Sequence, residues 1–155
     1  MSNVTRETQT TNKLHAVLNE QLANWSLLGV KLHHNHWFVQ GPHFFTLHEK
    51  FEELYNMAAG YVDEIAERLL AIGGKPAATM AEYLKLAAIQ EAAGESSAEQ
   101  MVETLITDFK TIVEGMKAGI EAADEQGDNP TADMLIGMRT EVEKLNWMLS
   151  AYLGK

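Results

Sequence analysis

The sequence predicts an all-α fold: a four-helix bundle with a short extra helix in a long connection between helices two and three. Apolar residues recur at steps of three and four through four long stretches, as on helices with one face in a core. Glycine, proline and Ser/Thr/Asn signals punctuate these stretches, and no segment alternates apolar and polar residues as a half-buried strand does.

Residues 1–12, MSNVTRETQTTN, carry no apolar period and are expected to form a flexible arm; residues 13–155 are expected to form a single bundle domain. From Lys13, a stripe of Leu14, Leu18, Leu22, Trp25, Gly29, Leu32 and His36 defines the first long helix, which turns His36 inward and ends at Gly41-Pro42. Thr46-Leu47-His48-Glu49 matches a capping box at the start of the second helix. That helix buries Leu47, Phe51, Leu54, Ala58, Val62, Ile65, Leu69 and Ile72, and stops at Gly73-Gly74 with Pro76 soon after. Residues 73–97 form the longest connection and hold a short amphipathic helix from Met80. A crossover of this length lets helices two and three run parallel. Ser96 with Glu99 marks the next start, and Val102, Leu105, Phe109, Ile112 and Met116 give helix three its buried face up to about Gly127. Asn129-Pro130 then caps and begins helix four, which buries Leu135, Met138, Val142, Leu145 and Leu149.

At 155 residues the chain is long enough for one real core, and its formal charge is −10 with no cysteine. A disulfide-stapled module is excluded. No run of eighteen apolar residues and no basic-then-apolar leader is present, so the expectation is a soluble cytoplasmic protein with no membrane partner. The arm holds one arginine and one glutamate. Gripping DNA phosphates takes several cations, so the arm and the acidic balance argue against DNA binding.

The chemistry concentrates between His33 and Arg68, where His36, His48, Glu52, Asp63 and Glu67 are residue types that bind redox-active first-row metals such as iron. On the second helix, His48 with Glu52 and Asp63 with Glu67 are i,i+4 pairs, each able to clamp one side of an ion. Glu52 and Asp63 are eleven residues apart, almost three whole turns, which keeps them on one face but ~16 Å apart along the axis. One chain cannot close both pairs on one ion. Either there are two half-sites, or two copies of the helix meet antiparallel across a two-fold axis near Met57-Ala58-Ala59-Gly60 and complete the centre twice. A single histidine on an apolar stripe is more often a satisfied core residue, and a lone His/Glu pair is commonly a surface pair. The weight lies in all five standing where a two-fold site requires them.

The combination of His36-Trp37, Gly41, Leu47-His48, Phe51-Glu52, Tyr55, Asp63 and Ala66-Glu67-Arg68 resembles the Dps proteins, the mini-ferritins named as DNA-binding proteins from starved cells, within the ferritin-like superfamily. The resemblance implies a hollow homo-dodecamer that oxidises Fe(II), preferentially with hydrogen peroxide, and stores ferric mineral. It implies an iron-oxidising centre with His36, His48 and Glu52 from one chain and Asp63 and Glu67 from its two-fold partner, two irons per centre, with zinc as an alternative occupant at rest. Glu52 departs from the aspartate of many members. An ordinary di-iron bundle would need Glu-x-x-His within one subunit, and this chain has neither that motif nor any histidine after His48.

His33 matches a histidine close to the centre in relatives and is read as orienting a ligand. Trp37 is read first as core packing, with electron donation to the oxidised centre as the alternative. His15, His34 and His43 are read as surface residues. Glu49, Glu53 and Glu64 form either a solvated face or, for Glu49 and Glu53 foremost, a mineral-nucleating lining. Asp124 and Asp133 bracket the 127–130 turn, in capping and dipole roles or, as the resemblance implies, in three-fold pores that draw cations inward. Two rival functions remain: a nucleoid-associated DNA-protecting shell, and a structural shell without ferroxidase chemistry.

Overall fold

The computed structural model describes residues 2–94 and 97–155, with side chains from Lys13 onward. Among these the chain forms five helices and no strand: α1 (Ser2–Phe38), α2 (Phe44–Ala71), α3 (Met80–Leu86), α4 (Ala98–Glu125) and α5 (Asn129–Tyr152). The buried faces follow the apolar stripes: Leu14, Leu18, Leu22, Trp25 and Leu32 on α1, Phe51, Leu54 and Leu69 on α2, Phe109 and Met116 on α4, and Leu135 and Val142 on α5. Val62 and Ile72, at the margins of the α2 stripe, are only partly buried. Trp25 sits at the centre, its ring edge-on to Tyr61 at 4.9 Å and tilted against Phe109 at 6.2 Å.

The helix directions follow from who meets whom. Along α1 and α2 the order of contact is reversed: His36 meets His48, Trp25 meets Tyr61, and Asn19 bonds the Lys75 carbonyl just beyond α2. Along α1 and α4 it is reversed again, with Lys31 on Asp108, Gln21 on the Ile112 carbonyl and Lys13 on Glu125. Both helices are antiparallel to α1 and therefore parallel to each other, the arrangement the long crossover permits. Two α1 asparagines hold that crossover down. Asn19 Oδ1 accepts from Ala77 N at 2.8 Å, and Asn24 Oδ1 accepts from Ala88 N at 2.7 Å. Main-chain donors in a loop against the bundle are thereby satisfied.

The termini of the elements correct several expected boundaries. Helix α1 begins at Ser2, well before the apolar stripe starts, so the backbone of residues 2–12 continues that helix. Helix α2 begins at Phe44 rather than after a Thr46 capping box: its cap position is His43, with no side-chain bond, and Thr46 lies inside the first turn. It ends as the glycines demand. Gly73 takes a φ of 83°, Gly74 N bonds Leu69 O and Gly73 N bonds Leu70 O, a paired closure that suits a left-handed glycine. The reciprocal capping box is found instead at α3, where Thr79 and Glu82 bond each other's backbone N–H. Ser96 lies outside the described residues, and the observed cap of α4 is Ser97, which accepts from Gln100 N. The cap of α5 is Asp128 rather than Asn129, with Pro130 in the first turn as expected.

Asp128 also ties α5 to α2. Its Oδ1 accepts from Arg68 Nη2 at 2.9 Å and from Thr131 N at 3.1 Å, and Arg68 Nε donates to Thr131 Oγ1 at 2.8 Å. Burial pushes the Asp128 carboxyl upward, but the Thr131 hydroxyl, its backbone N–H and the Arg68 charge outweigh that and hold it below its ordinary 3.8. A folded-state value below the unfolded one contributes stability that is present above about pH 4 and is lost as pH falls through the folded value. Asp128→Asn keeps a capping side chain but lacks this charge. In urea unfolding at fixed protein concentration, the gap between wild type and Asp128→Asn is expected to be widest above about pH 5 and to narrow below pH 4.

Candidate metal centre

The turn from Val39 to His43 folds α2 back along α1 and sets two histidines face to face. Gly41 makes the turn possible with a φ of 112°. His36, on the last turn of α1, is 9% exposed; His48 lies one turn into α2. Their rings stack at 3.6 Å and 15°, and each Nδ1 stands 2.7 Å from the other residue's main-chain carbonyl oxygen. A carbonyl only accepts, so both Nδ1 atoms carry the proton and donate it. Both Nε2 lone pairs are left as donors toward a metal, which is the tautomer that a second hydrogen bond selects in metal-binding histidines.

Glu52 follows one turn beyond His48 and is exposed. Its Oε1 accepts from the Tyr55 hydroxyl at 3.1 Å. The Tyr55 ring lies parallel to His33 at 3.8 Å and edge-on to His36 at 5.4 Å. His33 in turn donates its Nδ1 proton to Gly29 O at 2.8 Å. Desolvation, then the hydrogen bond to Glu52 and that carboxylate's charge, push the Tyr55 hydroxyl above its usual range, so it stays a proton donor at neutral pH. In the sequence, Tyr55 stood out only within a longer pattern. Its i,i+3 spacing from Glu52 was the local signal for this contact.

Asp63 and Glu67 are exposed on the far half of α2, and the fold does not bring them to the histidines. Among the described residues, no three His, Asp or Glu side chains of one chain converge as a metal site. Between the two sets, Ala59 and Gly60 are exposed, and a Cβ added at Gly60 would meet nothing within 4 Å. The middle of α2 thus offers a low face.

The other candidates fall into place unevenly. Trp37, expected as core packing, is instead 68% exposed, its ring 5.4 Å from His33. Following inward-facing His36 by one residue, it is carried about 100° round the helix and off the buried stripe. His15 is not a plain surface residue either; its Nε2 is buried without a partner. His34 is half-buried against Phe38, and His43 is exposed beside Tyr152. Glu49, Glu53 and Glu64 are exposed, and Glu53 pairs with Lys50 at 2.6 Å. Asp124 and Asp133 line one open depression with Asn129, Pro130 and Ile136, while the cap beside them is Asp128.

With this geometry in view, the likeness to known proteins is specific. A family model described as a ferritin-like domain matches residues 15–155. General stress protein 20U of Bacillus subtilis is 56% identical over 142 residues, spanning 92% of this chain and 98% of that one. DNA protection during starvation protein 2 of Bacillus anthracis is 55% identical over 139 residues, spanning 90% and 95%. The crystal structure of a Dps protein from Bacillus brevis superposes with a TM-score of 0.92 at 50% identity, covering 94% of this chain and 97% of that one. The chain therefore belongs to the Dps family, the mini-ferritins of the ferritin-like superfamily.

Proposed function

We propose that the protein oxidises Fe(II), preferentially with hydrogen peroxide, at centres shared between two copies of the chain, and stores the ferric product inside a shell of twelve. The observation that carries this is the His36/His48 pair, whose Nδ1 protons are committed to main-chain carbonyls so that two Nε2 lone pairs remain for a metal. Glu52 adds a carboxylate to that half. Asp63 and Glu67 supply the other half from the partner copy, about three turns along an antiparallel α2. The exposure of all three carboxylates in a single chain, and the low face at Ala59 and Gly60, support such a meeting.

Iron enters this scheme as substrate. Two Fe(II) ions held together give up one electron each to one peroxide, which with two protons becomes two waters. A lone ferrous ion can deliver only one electron and releases hydroxyl radical; pairing avoids that. Few ligands leave the ferric ions free to move on, with Glu49 and Glu53 as candidate acceptors on the interior and Asp124 and Asp133 as a pore that concentrates cations. Zinc fits the same histidine and carboxylate donors and is the competing occupant at rest. The setting we infer is the cytoplasm; no helix among the described residues is long and apolar enough to cross a membrane.

The test is an anaerobic Fe(II) titration of metal-free protein, followed by peroxide in one sample and oxygen in another, with ferric absorbance recorded. Peroxide-driven oxidation is expected to outpace both the oxygen reaction and iron in buffer. Rates equal to buffer would contradict the proposal. A gel shift at low salt, expected to show no DNA retained by a chain of net charge −10, separates the DNA-protecting alternative.

A further inference from the structure

Tyr55 stands outside the proposed ligand set yet touches three of the groups around it. It donates to Glu52 Oε1 at 3.1 Å, stacks on His33 at 3.8 Å and meets His36 edge-on. We propose that Tyr55 is a positioning residue that holds Glu52 as a one-oxygen ligand, leaving Oε2 for iron, and that His33 holds Tyr55 in place for this task. The inference rests on the shared centre proposed above.

The physical need arises from Glu52 itself. A glutamate has three rotatable side-chain bonds, so recruiting its carboxylate to a metal means ordering it. A phenol on the next turn orders it in advance. The brace is continuous: Gly29 O fixes the His33 ring through its Nδ1 proton, His33 fixes the plane of Tyr55 by stacking, and the Tyr55 hydroxyl fixes Oε1. An oxygen already accepting a phenolic proton is a poorer metal donor than its free twin, so Glu52 binds through Oε2 alone. One-oxygen binding also keeps the iron labile, as a storage protein requires. Aspartate at this position would draw its carboxylate back by one methylene, out of reach of the hydroxyl, so the brace is matched to glutamate.

Cobalt(II) serves as a redox-silent probe, titrated into the full oligomeric protein and read by its visible absorbance. Tyr55→Phe keeps the ring and its stack on His33 while removing only the hydroxyl. One of its two cobalt(II) dissociation constants, that of the position Glu52 serves, is expected to rise about tenfold, equivalent to about 1.4 kcal/mol, with the other unchanged. In a Glu52→Asp background the same change is expected to have no further effect, a non-additivity that a general structural weakening would not produce. With Fe(II) and peroxide, Tyr55→Phe is expected to raise KM for iron far more than it lowers kcat. Wild-type protein that binds no cobalt(II) would overturn the shared centre itself. Wild-type binding that Tyr55→Phe leaves unaltered, or an equal effect of Tyr55→Phe in the wild-type and Glu52→Asp backgrounds, would overturn the brace alone.

Discussion

Replacing His48 and Asp63 together by alanine is expected to reduce peroxide-driven Fe(II) oxidation to the rate of free iron in buffer. Each substitution removes one ligand from a different half of the centre, so no centre in the assembly keeps either half complete. Losing a mere supporting partner of a metal ligand typically costs about 10- to 100-fold, so losing two ligands should cost at least the upper end of that range. Stopped-flow ferric absorbance measures it. His48→Ala also removes the donor to the His36 carbonyl, worth about 1 kcal/mol of stability, so far-UV circular dichroism and size should be recorded on the same sample.

The largest expected effect on stability lies away from the centre. Lys31 on α1 and Asp108 on α4 meet at 2.5 Å with side chains only 6% and 10% exposed. Desolvating two charges is costly, and their mutual attraction offsets part of that cost. Lys31→Met leaves a buried carboxylate without that cation and is expected to cost about 3–5 kcal/mol in urea unfolding at fixed protein concentration. Adding Asp108→Leu is expected to recover most of the loss, because the core then holds two apolar groups of similar size. Additive losses in the double variant would mean the pair is not the unit of interaction.

The bundle was legible because its helices are long and amphipathic. Leu14 to Leu32, Phe51 to Leu69, Val102 to Met116 and Leu135 to Leu149 each keep one face buried, and periodicity reports that directly. Boundaries were less legible, since a cap depends on a single side chain. The pattern favoured Thr46 and Asn129, whereas the chain uses His43 without a side-chain bond and Asp128, which Arg68 also holds from another helix. The separation of the His48/Glu52 and Asp63/Glu67 pairs along α2 could be read from helix arithmetic alone. The support around them could not. Lys31 and Asp108 lie 77 positions apart, and nothing in either local pattern announces the other. His33 stacks on Tyr55 from a different helix. Such facts belong to how helices pack, which spacing within one helix does not encode.

The division of the centre between two chains is the claim on which the rest depends, and mixing two inactive variants tests it most directly. One variant carries His48→Ala and Glu52→Ala; the other carries Asp63→Ala and Glu67→Ala. Each alone is expected to be inactive, because every two-fold pair lacks the same half at both ends. Co-assembled in equal amounts after dissociation, half the pairs are mixed, and each mixed pair has one end with both halves intact. Activity should return to about one quarter of wild type per chain. A centre held within one chain contradicts this account, and would leave the mixture as inactive as its parts.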